Sequence, residues 1–353
     1  LILNEIYFEI EEEVKMMKVA INGLGRIGRA ALKVILETPQ LELVAVNDIV
    51  PPENIVYLLK YDTVYGRYEK TVEYDGKNLV IADYHFPVYH EKDPTLLPWS
   101  KLGVDIVLEC TGVFTKREDL EKHIQAGAKY VILSAPAKSE DVDTVVHGVN
   151  KVGEAARIIA CASCTTNCIT PVIEIMGRRI GIQKAIMTTV HAYTASQSIT
   201  DSSNKRFERG RAGAANFVPT STGAAIATTK ALPQYKDLFD GIAVRGPVPV
   251  GSLADIVLVT KRKTTVEEIN QIFVEEAGSK RYQDIVGLTY DPIVSSDIIQ
   301  DSHASIIDLG MTRVVDGDLV KILSWYDNEW GFTNQMVREA IQIALSSGVE
   351  DLK

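Results

Sequence analysis

KVAINGLGRIGRAALKVILE, residues 18–37, combines a β-rich run, a glycine turn and a helix-forming stretch. Lys18 to Asn22 are predicted as a strand and Arg26 to Glu37 as a helix, with Ile27, Ala31, Val34 and Ile35 turned inward. Between them Gly23, Gly25 and Gly28 spell G-x-G-x-x-G. The first glycine permits a tight turn, the second lets a pyrophosphate approach the backbone, and the third allows close helix–strand packing. The helix N-terminus then offers its N–H groups to the anion. Alone this pattern is common, so its context matters. LELVAVND, residues 41–48, reads as a second strand ending in Asp48, 20 residues beyond Gly28. A carboxylate there accepts hydrogen bonds from the adenosine ribose; the plainer alternative is a strand-end cap. Strands in VDIVLECTG (104–112) and YVILSAP (130–136) place Thr111, Gly112 and Ser134 at their ends, where ligands sit in an open parallel sheet. A dinucleotide-binding domain follows.

The chain has 353 residues, 46% hydrophobic and 24% charged, with a formal net charge of -10. That length leaves room for two domains, and the composition fits a soluble globular protein. The negative charge argues against non-specific binding to nucleic acid or anionic membrane, and no apolar run reaches the length of a membrane span. Residues 1–16, LILNEIYFEIEEEVKM, are Glu-rich and match neither a signal nor a transit peptide. They are read as a tag remnant or an upstream start, before a domain that begins at Met17.

Three of the four cysteines fall in ACASCTTNC, residues 160–168: Cys161, Cys164 and Cys168. Structural zinc needs four ligands, and Cys168 with the distant Cys110 makes no second pair, so no metal site is expected. A thioredoxin-like redox motif belongs early in a small domain, not after a nucleotide-binding half. With no disulfide framework, a reducing, cytoplasmic setting is expected. The stronger reading is a nucleophile. Cys164 is predicted near a helix N-terminus, where the dipole favours thiolate, and MTTVHAYTASQ (187–197) is a strand that delivers His191 as its base or ion-pair partner. Ser163, Thr165, Thr194, Ser196, Thr222, Gly223 and Arg245 add hydroxyls, a glycine N–H and a guanidinium, a donor set suited to phosphate.

With those residues in view, the chain resembles the glyceraldehyde-3-phosphate dehydrogenases. The match runs through NGLGRIGR, the ND of Asp48, LLKYDTVYGR, LPW, VDIVLECTGVFT, SAPAK, ASCTTNC, TTVHAYT, STGAA and SWYDNEWGF. ASCTTNC with the downstream TVHAYT is the specific part. The resemblance implies a Rossmann domain at 17–163 and an α+β catalytic domain with a largely antiparallel sheet at 164–327. A segment from Asn328 to the C-terminus would return to the first domain. It also implies roles. Cys164 would be the nucleophile and His191 its base. Ser163, Thr165, Thr222 and Gly223 would border the attacking phosphate, while Thr194, Ser196 and Arg245 hold the substrate's own. Arg26 and Ile27 would flank the pyrophosphate and Asp48 the ribose. Lys92 and Ser134 would line the adenine–nicotinamide groove, and Asn334 would hold the nicotinamide carboxamide. The implied reaction is phosphorylating oxidation of D-glyceraldehyde 3-phosphate through a cysteine thiohemiacetal and thioester. The implied assembly is a homotetramer in which the loop Thr194 to Val218 reaches a neighbour's cofactor; the plain alternative reading of its Arg206, Arg209 and Arg211 is solvated interface charges.

The chain departs from the family pattern at several places. Cys161 stands in ACASC where an Asn is usual, and RGPVPVGSLAD and GAAIAT alter the wall beside Arg245. Erythrose-4-phosphate dehydrogenase is therefore the nearest enzymatic alternative, ranked second because Thr194 keeps its hydroxyl. A cofactor-binding interaction protein is the alternative from another class. The crowding of Cys161, Cys164 and Cys168 raises a reversible disulfide switch against simple packing. Asp48 favours NAD, whereas Ser202 and Ser203 in ITDSSNKRF (199–207) suit a 2′-phosphate, so use of both NAD and NADP is expected.

Overall fold

The computed structural model describes residues 16–153 and 155–348. The reading of residues 1–16 as an added segment lies outside the described residues, Met16 apart. The first half runs β1 (Met17–Asn22), β2 (Leu41–Asn47), a hairpin of β3 (Tyr61–Asp62) and β4 (Gly66–Arg67), then β5 (Val72–Tyr74), β6 (Asn78–Ile81), β7 (Tyr84–Tyr89), β8 (Ile106–Glu109), β9 (Tyr130–Leu133), β10 (Asp143–Thr144) and β11 (Ile158–Ala160). Apart from the hairpin these strands form one sheet in the order β10-β11-β9-β8-β1-β2-β7-β6-β5. Pairing is parallel from β10 to β7 and antiparallel only in the β5–β7 edge. Chain order reverses about β1, so the crevice beyond the carboxyl ends of β1, β2 and β8 is the switch point where such sheets bind ligands.

The helices are α1 (Arg26–Ile35), α2 (Pro52–Lys60), α3 (Trp99–Leu102), α4 (Arg117–Gln125), α5 (Cys164–Arg179), α6 (Ala224–Ala231), α7 (Val266–Ala277) and α8 (Trp330–Gly348). Helix α1 stops two residues before the expected Glu37. Its end tightens into i→i+3 bonds, Glu37 N to Val34 O and Thr38 N to Ile35 O, and Pro39 cannot continue it. Ala31 and Ile35 are buried as expected, joined by Leu32, while Ile27 and Val34 are half-buried against the same core.

The second half holds β12 (Ile182–Ala192), β13 (Val218–Ser221), β14 (Phe239–Gly246), β15 (Ser252–Thr260), β16 (Val286–Thr289), β17 (Ser305–Asp308), β18 (Arg313–Val315) and β19 (Leu319–Tyr326). They form a mixed sheet, β13-β14-β12-β15-β19-β17-β16 with β18 beside β19, parallel only at β12–β14 and β16–β17. The fold class is thus a Rossmann domain plus an α+β domain with a largely antiparallel sheet, as the sequence indicated. One face of this sheet packs on α5 through Ile169, Val172, Ile173 and Met176 in a core that includes Met187, Ile256 and Ile322. Phe332, Met336, Val337 and Ala340 of α8 lie in the other core, with Val19, Ile21, Leu32 and Leu108.

Candidate active site

Each glycine of the 23–28 turn meets a different constraint. Gly23 has φ +94, and a Cβ there would lie 2.7 Å from Thr111 N. A Cβ on Gly28 would lie 1.8 Å from Gly23 O, so the third glycine lets helix and turn touch. A Cβ on Gly25 would meet nothing within 4 Å. Internal packing does not require Gly25; its bare backbone faces open space at the N-cap of α1, as an approaching pyrophosphate needs. This is the structural fit for a dinucleotide.

The other expected cofactor residues surround that turn. Asp48 accepts Leu24 N–H on one carboxylate oxygen at 2.6 Å and Val50 N–H on the other at 2.9 Å. It is a strand-end cap, yet each oxygen keeps a second acceptor direction for a ribose hydroxyl. Thr111 and Gly112 follow β8, Ser134 follows β9 and hydrogen-bonds the Cys110 thiol, and Lys92 is exposed just beyond β7. The Arg26 side chain is committed elsewhere. Its guanidinium is bound by Asp62 and Glu329, so only its backbone N–H at the start of α1 can flank the pyrophosphate. Glu329 immediately precedes α8, which carries the half-buried Asn334. The Asn334 amide donates to Trp330 O at 2.9 Å, leaving its carbonyl oxygen for a carboxamide.

Cys164 opens α5. Ser163 is the N-cap, its hydroxyl accepting Thr166 N–H at 3.1 Å. His191 sits one residue before the end of β12, and its Nε2 lies 3.3 Å from Cys164 Sγ. His191 Nδ1 lies 2.7 Å from Ala192 O and 2.6 Å from Arg245 Nη1. A single nitrogen cannot donate to the carbonyl and accept from the guanidinium at once. Donation to Ala192 O, which Arg245 Nη1 also reaches at 2.9 Å, leaves the Nε2 lone pair facing the thiol.

Burial pushes the Cys164 thiol up, partly offset by Arg245 and by hydrogen bonds from Thr165. Burial, then the Arg245 charge, pushes His191 down to about 3. Burial and the Arg245 charge thus both act against a Cys164–His191 ion pair, while the α5 N-terminus and Arg245 act for the thiolate. Charge separation would desolvate two groups, and a neighbouring cation opposes imidazolium. The geometry suits a Cys164 thiol donating to the Nε2 lone pair of a neutral His191. Alkylation of Cys164 by uncharged iodoacetamide should then show a single rise with pH, its midpoint above the usual thiol range, and no step at lower pH. A reactive plateau in acid followed by a second step near neutrality would contradict this.

Tyr326 orders the pair, and sequence reasoning assigned it no role. Its hydroxyl joins Thr165 Oγ1 at 2.8 Å and Thr189 Oγ1 at 2.7 Å, and its ring stands edge-on to His191. The alternation of buried Val320, Ile322, Ser324 and Tyr326 along β19 was the available signal.

The phosphate candidates divide. Thr194 Oγ1 and Ser196 Oγ are 2.9 Å apart, and Arg209 Nη1 reaches Ser196 Oγ at 3.4 Å. Burial and then the Arg245 charge lower Arg209, and Arg209 adds a smaller share to the field on His191. Arg245 Nε is buried without a partner among the described residues. Such a buried donor is open to a further acceptor. Arg209 is half-buried and directed at Ser196, whereas exposed Arg211 pairs with Asp201 as a surface ion pair. In the second set, Thr165 spends its hydroxyl on Tyr326 and Ser163 on its cap. Thr222 Oγ1 accepts Ala224 N–H at 3.2 Å, and Gly223 is exposed at the N-cap of α6. This set can offer an anion mainly backbone N–H groups at helix starts.

The remaining cysteines point into opposite cores. Cys161 packs in the first, and Cys168, with its thiol 3.2 Å from Ser324 Oγ, in the second. Burial pushes both thiols up, and both are inaccessible, which favours packing over a disulfide switch with Cys164.

Comparison with known proteins agrees with this geometry. Residues 17–117 match the family described as glyceraldehyde 3-phosphate dehydrogenase, NAD binding domain, and residues 163–328 match its C-terminal domain. Among similar proteins, the glyceraldehyde-3-phosphate dehydrogenase of Zymomonas mobilis is 46% identical over 332 residues, covering 93% of this chain and 98% of the relative. That of Streptomyces coelicolor is 47% identical over 325 residues, covering 91% and 96%. Glyceraldehyde-3-phosphate dehydrogenase 1 of Bacillus subtilis is 45% identical over 331 residues, covering 93% and 98%.

Proposed function

The chain belongs to the glyceraldehyde-3-phosphate dehydrogenase family, and from that membership we propose how its own residues carry the reaction. The activity is NAD-dependent, phosphorylating oxidation of glyceraldehyde 3-phosphate. The observation that carries the assignment of residues is the 3.3 Å Cys164–His191 contact at a helix N-terminus beside Arg245.

Arg245, Arg209, Thr194 and Ser196 hold the substrate's phosphate. That anion offsets the positive field that depresses His191, so substrate binding itself strengthens the base. His191 Nε2 takes the Cys164 proton as Sγ adds to the aldehyde carbon, then returns it to the new alkoxide, giving a thiohemiacetal. NAD, when bound, accepts the hydride. As the hydride leaves, His191 removes the hydroxyl proton and a thioester remains on Sγ. Inorganic phosphate, steered by Gly223 and the first turn of α5, attacks the thioester carbonyl. The C–S bond breaks, the acyl phosphate departs and Sγ recovers its proton from His191.

The division into residues 17–163, 164–327 and 328–353, the cytoplasmic setting and the tetramer belong to the same proposal. Ile186, Val190 and Ile242 are 59%, 40% and 51% exposed on the adjacent strands β12 and β14, with Phe217 nearby at 70%. Such a patch supports coverage by another copy of the chain. Sedimentation at about four times the mass of one chain is the expected result; a monomer removes this part.

For the cofactor, the two backbone bonds to Asp48 favour NAD, and Ser203 is exposed in the 194–218 loop. Steady-state assays of glyceraldehyde 3-phosphate and erythrose 4-phosphate, with each cofactor and with or without phosphate, test the whole reading. We expect the triose phosphate to be preferred, NAD to be preferred, and a weaker NADP activity that Ser203→Pro selectively lowers. A preference for erythrose 4-phosphate, or no NADP activity in the wild type, would overturn the corresponding part.

A further inference from the structure

Beneath the glycine turn lies a chain of buried polar side chains that none of the steps above employs. Asn22 ends β1, Asn47 ends β2 and Glu109 ends β8; His123 projects from α4 and Trp99 from α3. Their exposures run from 0% to 3%. Asn47 Oδ1 accepts Glu91 N–H at 2.9 Å, and Asn47 Nδ2 donates to Asn22 Oδ1 at 2.7 Å and to Glu91 O at 2.9 Å. Asn22 Nδ2 donates to Glu109 Oε2 at 2.6 Å. From the other side, Trp99 Nε1 donates to His123 Nδ1 at 3.1 Å, and His123 Nε2 lies 3.1 Å from Glu109 Oε2. Glu109 Oε1 receives Thr111 N–H at 2.8 Å and the Thr111 hydroxyl.

The direction of every bond is forced. A backbone N–H and an indole N–H can only donate. The Glu91 N–H fixes Asn47, which fixes Asn22, so Asn22 must donate onward. The Trp99 N–H makes His123 Nδ1 an acceptor, so the neutral ring carries its proton on Nε2 and also donates. Both branches end on Glu109, whose two oxygens accept four hydrogen bonds from three residues, Asn22, His123 and Thr111.

We propose that Glu109 is a positioning residue for the dinucleotide. One carboxylate fixes the ends of β1 and β8 and the Thr111–Gly112 turn, and through Asn22 and Asn47 it fixes the segment at Glu91–Lys92. It thereby sets the glycine turn, Asp48, Thr111, Gly112 and Lys92 as one unit. The proposal rests on the cofactor-site reading above. Glutamine is isosteric at this position but cannot accept four hydrogen bonds. Its NH2 must face either Asn22 Nδ2 with His123 Nε2–H, or both donors of Thr111, and the repulsion displaces Asn22 at the start of the glycine turn or Thr111 beside it.

Glu109→Gln should therefore raise the KM for NAD by about tenfold or more, while kcat per Cys164 and the KM for aldehyde stay within about twofold. Trp99→Phe removes the donor that dictates the His123 tautomer, so the ring can then accept from the new amide. Alone Trp99→Phe should leave the NAD KM within about twofold; combined with Glu109→Gln it should recover at least about a third of the increase. A purely structural role predicts instead a lower active fraction at unchanged KM and additive loss in the double variant. Should Glu109→Gln not fold, Asn47→Leu, which cuts the link to Glu91 without adding charge, must show the same rise in KM at constant kcat. An NAD KM within about twofold of wild type in the variant that folds, or no recovery by Trp99→Phe, overturns the proposal. Asp48→Ala run in parallel separates the two levels: if it too leaves the NAD KM unchanged, the cofactor-site reading has failed rather than the role of Glu109.

Discussion

Replacing Cys164 by serine should lower kcat by at least about 10⁴-fold while NAD affinity stays within about twofold of wild type. A serine hydroxyl has no accessible anion near neutrality, and no neighbouring group compensates. Arg245 and the α5 N-terminus favour an anion at this position, yet burial already pushes even the thiol upward. Cofactor affinity should survive because Leu24 anchors the glycine turn in the first core and Asp48 is held by the Leu24 and Val50 N–H groups, none of them hydrogen-bonded to the thiol. Steady-state turnover and fluorescence titration with NAD measure the two quantities separately. Retained turnover in Cys164→Ser, or preferential iodoacetate labelling of Cys161 or Cys168, would refute the assignment.

His191→Asn is expected to lower kcat by about 10² to 10³-fold, the scale of a lost general acid–base group. Asparagine preserves the polarity that Arg245 and Ala192 O meet, but it cannot take and return a proton. Alkylation of Cys164 should slow in the same variant, because the base that draws off its proton is gone. The argument about substrate anions adds a finer expectation. Saturating inorganic phosphate, by lodging beside Arg245 and Arg209, should accelerate iodoacetamide labelling of the wild type and should not accelerate it in His191→Asn. Equal acceleration in both would show that the anion acts on the thiol by some route other than the base.

Much of this was legible because its physical signals are local. The 23–28 glycines encode a turn whose steric demands the structure reproduces one by one, with open space at Gly25. Cys164 and His191 could each be placed at the end of an element from hydrophobic pattern alone. Charges whose partners lie far along the chain were not legible. Arg26 belonged to the pyrophosphate by motif, but Glu329, 303 residues away, holds its side chain. Arg209 looked like a surface charge until the fold of the 194–218 loop turned it toward Ser196 and Arg245. The balance of charge at the Cys164–His191 contact was illegible for a related reason. Helix dipoles can be read from sequence, whereas the burial that opposes them depends on how two domains close over the site. Glu109, likewise, is one more strand-end residue until three strands and two helices bring its donors together.

The most direct test of the central claim is a single turnover without phosphate. Wild-type protein, excess NAD and glyceraldehyde 3-phosphate should give a burst approaching one reduced cofactor per Cys164, then near silence until phosphate is added. Mass spectrometry of the quenched burst should find the acyl group on the peptide carrying Cys164. A linear rate without a burst, or acylation at another residue, would contradict covalent catalysis by Cys164.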